Sequence, residues 1–245
     1  MPHAGLQSMF FESDGHHLLG TFFLAQGDKP KPTVILLHGL PGIEKNYDLA
    51  LGLRERGWNS LLFHYRGCWG SSGSYDLQTL TRDVKHALDE VTSGKYPLVD
   101  PDKIVLCGHS MGGWAAVVAG ASDERVKAVV ALAAVSDTTA WGFDETAAKA
   151  QFTPWLTDIT PAQIVAQWQA LPNAHDVVAQ ISPRPLLLVH GDEDAAVPLS
   201  HSQKLAEQAQ EPFAFEVIKG ADHGFSWQRP TLINLVGEWL DSLAR

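Results

Sequence analysis

The chain has 245 residues, 45% of them hydrophobic and 19% charged, which suits one α/β domain (residues 1–245) with a large core. Its net charge of −10 at pH 7 argues against nucleic acid and against an anionic membrane as partners. Only two cysteines are present, so a disulfide scaffold and a cysteine-rich zinc site are excluded. With no stretch of signal-peptide or membrane-span character, a reducing cytoplasm is the expected location.

Eight short apolar runs predict β-strands along the chain. They are residues 6–11, 18–24, 34–37, 60–63, 104–107, 128–132, 186–189 and 213–218. Helical patterns fall between most of the later runs and after the last, at residues 47–56, 77–91, 113–121, 201–208 and 232–244. Since alternating strands and helices are typical of parallel crossovers, we expect a doubly wound α/β sheet with helices on both faces.

Two intervals depart from this alternation. The first two runs are too close together for a helix, so they predict an antiparallel hairpin around residues 13–15, which makes strand 2 antiparallel. About fifty residues separate the sixth run from the seventh, with helical patches at 144–151, 161–169 and 175–181. We interpret residues 135–182 as a small helical cap inserted over the sheet, within the same domain.

Residues 108–112 read Gly-His-Ser-Met-Gly and lie between a predicted strand and an alanine-rich predicted helix. A serine between two glycines at such a turn is typical of a nucleophile elbow, where the strained backbone holds the hydroxyl clear of the sheet. Strand and helix must approach closely there, which requires small residues at Gly108 and Gly112. The sequence therefore predicts that Ser110 is a nucleophile.

A serine hydroxyl needs a base to remove its proton, and that base needs an acid to orient it. His223 follows the eighth strand, and two aspartates, Asp192 and Asp194, follow the seventh. The carboxyl ends of parallel strands lie at one edge of a sheet, so these loops are expected to meet Ser110. From the residues alone, the acid remains open between Asp192 and Asp194.

An acyl-transfer enzyme also needs N–H donors for the oxyanion. The backbone N–H of Met111, directly after the serine, is one expected donor. The second should come from residues 38–42, which read His-Gly-Leu-Pro-Gly after the third strand. Proline has no N–H, so Leu40 is the predicted donor.

Together these motifs resemble the α/β-hydrolase superfamily over nearly the whole chain. In that family the acid is the third residue after the glycine that ends the strand, so the resemblance favours Asp194. Residues 63–73 also look like the corresponding loop of serine aminopeptidases and prolyl-oligopeptidase-like members, and carboxylesterases share the pattern. The resemblance implies an eight-stranded sheet and a serine hydrolase, and the lack of a large accessory domain favours a free-standing esterase.

We expect cleavage of small-molecule carboxylic esters, with short to medium acyl chains, through an acyl-enzyme intermediate. No cofactor is needed, and the histidines show no metal-ligand spacing. Three large side chains of the cap are expected to line an apolar substrate pocket, unless they only pack the cap onto the domain: Trp141, Phe143 and Trp155.

Two other functions compete with this interpretation. An amidase or aminopeptidase could use the same three residues, and an inactive hydrolase fold could serve as a binding module. The sequence does not indicate an oligomeric state. Two histidines that flank the expected site, His109 and His190, are predicted to make structural hydrogen bonds rather than to react. Arg66 is expected to be a solvated or structural arginine, unless it pairs with a carboxylate near the mouth of the site.

Overall fold

The computed structural model describes residues 3–243. Its strands are β1 (Gly5–Ser13), β2 (His16–Leu24), β3 (Lys31–Leu37), β4 (Asn59–Phe63), β5 (Val99–His109), β6 (Val126–Leu132), β7 (Leu186–Gly191) and β8 (Phe213–Ile218). Its α-helices are α1 (Tyr47–Glu55), α2 (Leu80–Val91), α3 (Met111–Ser122), α4 (Glu145–Gln151), α5 (Pro161–Gln169), α6 (Ser200–Gln208) and α7 (Arg229–Leu243).

Within the described residues the strands form one eight-stranded sheet in the order β1-β2-β4-β3-β5-β6-β7-β8. β2 is antiparallel to both β1 and β4, and every other neighbouring pair is parallel. The predicted sheet, its antiparallel strand 2 and the hairpin around residues 13–15 are confirmed. The carboxyl ends of β3, β5 and β7 consequently lie at one edge.

The two faces of the sheet bury different helices, as the two-residue period of a strand requires. In β3, Ile35 and Leu37 pack into the core that includes residues of α2 and α3. Their neighbours Val34 and Leu36 point the other way, into the core that includes residues of α1 and α7. The apolar run of β3, residues 34–37, is thus buried on both faces, which confirms helices on both sides of the sheet.

The predicted helices differ from the observed ones mainly at their ends. The helix predicted over 77–91 begins as a 3₁₀ turn, Leu77–Thr79, before α2. α7 begins at Arg229, three residues earlier than predicted, and the predicted end at Ala244 lies outside the described residues.

The helix predicted over 175–181 is wrong. The chain forms two 3₁₀ turns there, Ala174–Asp176 and Val178–Ile181. Pro183 explains part of this difference, because a proline disfavours the helical conformation in the residue before it and leaves little length for an α-helix.

The segment between β6 and β7 contains α4, α5 and three 3₁₀ turns, and its residues 135–182 are called the cap below. Ile164 and Trp168 of α5 are buried in the same core as α2 and α3. Both cysteines, Cys68 and Cys107, are buried and unpaired. Among the helices of residues 3–243, none has the length and apolar character needed to cross a membrane.

Candidate active site

Ser110 stands between β5 and α3 in a strained backbone conformation, with φ 59° and ψ −120°. Non-glycine residues rarely adopt a positive φ, and strained backbone of this kind clusters at active sites, ligand clamps and switch regions. A methyl group added to Gly108 would overlap the Gly112 carbonyl, and one added to Gly112 would overlap the Leu37 carbonyl. The sharp turn predicted from the glycines is therefore present, and it requires residues without a β-carbon at both flanking positions.

The backbone of Ser110 is fixed on both sides. Its N–H donates to the Leu132 carbonyl oxygen of β6 at 2.9 Å. Its own carbonyl oxygen accepts from the N–H groups of Gly113, Trp114 and Val135. These bonds hold the strained residue in place without using its hydroxyl.

Asp194 lies beside His223 at the carboxyl edge of the sheet. The Nδ1 atom of His223 is 2.7 Å from Oδ2 of Asp194, and the carboxylate is buried. The other oxygen, Oδ1, accepts from the backbone N–H groups of Ala196 and Val197 at 2.9 and 2.8 Å. The structure thus brings together the predicted acid and base.

Asp192 is placed differently. It is exposed, and its Oδ1 accepts from the backbone N–H of Gly220. Of the two aspartates that the residues alone left open, the one in contact with His223 is Asp194.

The charge state of Asp194 follows from its surroundings. Burial raises its pKa, but hydrogen bonds from His190 and His223 oppose burial and bring the pKa well below 3.8. Asp194 is therefore ionised at neutral pH and attracts a positive charge on His223. Nε2 of His190 is 3.2 Å from Asp194 Oδ2 and 2.9 Å from the Val197 carbonyl oxygen, while Nδ1 is bonded to Ser202.

His109 supports the other side of His223. Its ring is buried, and its Nε2–H donates to the carbonyl oxygen of His223 at 2.7 Å. Burial, together with the nearby His223, lowers the pKa of His109 to about 3, so the ring is neutral at pH 7. His109 and His190 both make the structural hydrogen bonds expected from the sequence. The contact of His190 with Asp194 was not foreseen, although a histidine and an aspartate four residues apart could have suggested it.

Residues 38–42, called the β3 loop below, pass against the serine. A methyl group added to Gly39 would lie 3.0 Å from Ser110 Cβ and 3.5 Å from its Oγ. Within the described residues, neither the Leu40 N–H nor the Met111 N–H donates a backbone hydrogen bond. Met111 begins α3, where helix N–H groups are free and the helix dipole favours negative charge. Both predicted donors thus have no backbone partner among the described residues.

A cavity of about 1140 Å³ opens above these residues. Ser110, His223, Leu40 and Met111 all line it. In the part of the chain that the structure describes, no hydrogen bond joins the Ser110 hydroxyl to another group. The hydrogen bond between a catalytic serine and its histidine is often long in a free enzyme and shortens when substrate binds.

The cap forms the opposite wall of the cavity with four aromatic side chains packed edge to face, namely Trp141, Phe143, Phe152 and Trp168. Two of these, Trp141 and Phe143, are pocket residues predicted from the sequence. Trp155 is not among the cavity-lining residues. It is half exposed and stacks on Trp69 instead, because the 3₁₀ turn Thr153–Trp155 directs it away from the cavity toward the loop after β4.

Arg66 also lies outside the cavity lining. Its guanidinium is bonded to the buried carboxylate of Asp83 on α2, at 2.6 and 2.9 Å, and to Ser13 at 2.8 Å. It therefore connects the loop after β4 to α2 and to the β1–β2 hairpin, so Arg66 is a structural rather than a solvated arginine, and its carboxylate partner Asp83 lies outside the cavity lining.

This chain is similar to known proteins in family, in sequence and in fold. The prolyl oligopeptidase family matches residues 52–244. The uncharacterized protein YfhR of Escherichia coli O157:H7 is 30% identical over 223 residues, which are 87% of this chain and 72% of that protein. Among solved structures, the α/β hydrolase GrgF from Penicillium sp. sh18 has a TM-score of 0.80 at 22% identity and covers 97% of this chain and 98% of its own. Est1E from Butyrivibrio proteoclasticus, bound to ferulic acid, has a TM-score of 0.78 at 22% identity and covers 97% and 100%.

Proposed function

Because this chain belongs to the prolyl oligopeptidase family and has the α/β-hydrolase fold, we propose that it is a serine hydrolase acting on carboxylic esters. The resemblance drawn from the motifs is confirmed at the level of family and fold, and the chain is accordingly a hydrolase. What we propose beyond hydrolase activity is that the bond cleaved is an ester and that the reaction proceeds through an acyl-enzyme.

One observation carries the proposal. A serine on a strained turn and a histidine bonded at 2.7 Å to a buried, ionised aspartate face one cavity. In this proposal His223 removes the proton of Ser110 as the hydroxyl attacks the ester carbonyl. Asp194 fixes the imidazole with its proton on Nδ1 and stabilises the imidazolium that forms.

The N–H groups of Leu40 and Met111 then bind the oxyanion of the tetrahedral intermediate, each contributing about 3 kcal/mol to lowering the barrier. His223 returns its proton to the leaving alcohol, and an acyl group remains on Ser110. A water molecule, deprotonated by His223, then attacks the acyl carbonyl. The bond from the acyl carbon to Ser110 Oγ breaks, His223 returns the proton to Oγ, and the acid is released. Each proton is accounted for by His223, so no cofactor is required.

The aminopeptidase alternative would need paired carboxylates to hold the substrate ammonium. Three carboxylates line the cavity, Glu44, Asp144 and Glu145. Of these, Asp144 accepts from the Ala147 N–H as the N-cap of α4 and Glu44 accepts from the Asn46 N–H, while Asp158 is bonded to Ser74 outside the cavity lining. The aromatic wall favours an apolar acyl or alcohol group, and ferulic acid bound to the structurally similar Est1E is consistent with a carboxylic acid product.

The first test is hydrolysis of p-nitrophenyl esters from acetate to palmitate by the wild type and by Ser110→Ala. We expect turnover of short and medium chains by the wild type and none above background by the variant. Ser122→Ala, at the end of the same helix and bonded only to its own helix backbone, is the matched control and should behave as wild type. Multiple turnover by Ser110→Ala would refute the mechanism. Wild-type cleavage of aminoacyl p-nitroanilides but of no ester would establish the amidase alternative.

A second test concerns the cap as the determinant of acyl preference. Trp141→Ala removes part of the aromatic wall and should lower the ratio of kcat/KM for octanoate to that for acetate by roughly 5- to 30-fold, because about 1–2 kcal/mol of apolar contact is lost. Trp227→Ala is the control, since Trp227 is 90% exposed and does not line the cavity. An unchanged ratio in Trp141→Ala would mean that the aromatic residues only pack the cap onto the domain.

A further inference from the structure

The loop after β4, residues 64–76, lies between the cap and the β3 loop and is called the β4 loop below. Its start is held by Arg66, whose backbone N–H and guanidinium both bond to Asp83. Its fold is tight at Gly67, where a methyl group would overlap the backbone of Tyr75. The β4 loop is therefore a fixed part of the domain rather than a free surface segment.

On one side the β4 loop is bonded to the cap. The Thr157 N–H donates to the Gly67 carbonyl oxygen at 2.7 Å, and the Tyr75 N–H donates to the Thr157 carbonyl oxygen at 2.9 Å. The ring of Trp155 stacks on that of Trp69, with centroids 5.9 Å apart and planes at 14°. This part of the cap is thus joined to the β4 loop by backbone bonds and by one aromatic pair.

On the other side the β4 loop is bonded to the β3 loop through the same tryptophan. The Trp69 indole N–H donates to the Pro41 carbonyl oxygen at 2.7 Å. A methyl group added to Gly42 would lie 2.7 Å from Trp69 Nε1 and 2.6 Å from His38 Nδ1, so the β3 loop is packed closely between these rings. Pro41 directly follows Leu40, the donor assigned to the oxyanion. Trp69 therefore holds the chain one residue beyond that N–H.

We propose that Trp69 is a positioning residue for the oxyanion site, and that Trp155 makes the placement of the Leu40 N–H depend on the position of the cap. The inference rests on the proposed function, because it assigns Leu40 to the oxyanion. An N–H that is misplaced by a fraction of an ångström stabilises the transition state less while leaving the binding of the ester unchanged. The signature of the role is thus a loss in kcat with KM preserved.

Trp69→Phe keeps an aromatic ring for Trp155 but removes the N–H bonded to Pro41. We expect kcat for p-nitrophenyl butyrate to fall about tenfold, with KM within twofold of wild type, because one oxyanion donor is displaced rather than deleted. The rate of fluorophosphonate labelling of Ser110 should fall by a similar factor, since the phosphoryl oxygen uses the same donors. Trp58→Phe is the matched control: it removes an indole N–H bonded to Asp241 at 3.2 Å, outside the cavity lining, and should leave both rates within twofold.

Trp155→Ala removes the stacking partner and leaves the Trp69 N–H intact, and its half-exposed position makes it the safer variant for folding. We expect a smaller loss of kcat, again without a change in KM. If Trp155 acts through Trp69, the double variant should be no slower than Trp69→Phe alone. Thermal unfolding of each variant measures any general loss of structure separately.

Three results would overturn the inference. These are a kcat within twofold of wild type in Trp69→Phe, a rise in KM with kcat preserved, or losses in the two single variants that multiply in the double variant. If the wild type cleaves no ester but is labelled by the fluorophosphonate, ester specificity fails and the labelling rates still decide the role of Trp69. If the wild type is not labelled either, both the serine mechanism and the inference fail.

Discussion

Replacing Asp194 with asparagine tests the proposed charge arrangement with almost no change in shape. Oδ1 of Asp194 accepts two backbone N–H bonds, from Ala196 and Val197, so the amide oxygen of the variant must take that position. The amide NH₂ then occupies the place of Oδ2, facing Nδ1 of His223. Because two donors cannot share a hydrogen bond, the imidazole must carry its proton on Nε2, where it can no longer accept the proton of Ser110.

The expected magnitude follows from this change of tautomer. A neutral amide that imposes the wrong tautomer at this position lowers kcat by about 10⁴, which is about 5.4 kcal/mol of transition-state stabilisation. The same amide NH₂ also faces Nε2–H of His190, so the variant loses a second bond. We expect its free energy of unfolding to be about 1–3 kcal/mol lower.

The assay is the steady-state hydrolysis of p-nitrophenyl butyrate at pH 8, with urea unfolding of the same preparations. Asp192→Asn is the matched control, two residues away: the exposed Asp192 accepts one backbone N–H, which an amide oxygen also accepts, so kcat should stay within about threefold. If Asp194→Asn kept more than a tenth of wild-type kcat, Asp194 would not be the orienting acid. An equal loss in Asp192→Asn would refute the assignment as well.

Two further predictions concern stability. Gly108→Ala should prevent folding or lower the free energy of unfolding by at least about 4 kcal/mol, because the added methyl overlaps the Gly112 carbonyl. Gly5→Ala is the control: its methyl meets no atom within 4 Å, so its free energy of unfolding in urea should lie within about 0.5 kcal/mol of that of the wild type. Burial lowers the pKa of His38 and His109 from 6.5 to about 3, so only the unfolded chain takes up their protons as pH falls below 6.5. Stability is therefore lost from pH 6.5 downward, by about 2 kcal/mol per histidine at pH 5. Urea unfolding at pH 7.5 and pH 5 measures this loss, and an unchanged pH dependence in His109→Gln would contradict it.

Much of the fold could be predicted from the sequence because its signals are local. All eight strands follow from short apolar runs, and the hairpin of β1 and β2 follows from a turn too short for a helix. The turn at Ser110 follows from glycines that the crossing of strand and helix requires. The chain order of strands also predicts that Asp194 and His223 share an edge with Ser110. Each of these inferences needs only neighbouring residues and the geometry of a parallel sheet.

The choice of partner for each side chain was decided by the tertiary structure. The residues alone left Asp192 and Asp194 open, and only the packing of a loop 29 residues away brings His223 to Asp194. The same holds for Trp155, whose apolar character suited a pocket but whose 3₁₀ turn directs it to Trp69. The connection between the cap and the β3 loop has no sequence signal, because its contacts join segments far apart in the chain.

The sequence by itself therefore determined the elements, their order and the chemical types gathered at one edge of the sheet. Backbone preference, apolar period and glycine geometry act over a few residues, and these are what a sequence displays. Long-range contacts decide which carboxylate is buried, which indole lines the cavity and which loops are bonded to each other. Examples are the contact of Arg66 with Asp83, 17 residues apart, and that of Trp69 with Pro41, 28 residues apart. These long-range contacts form only when the whole chain packs, so the tertiary structure decided them.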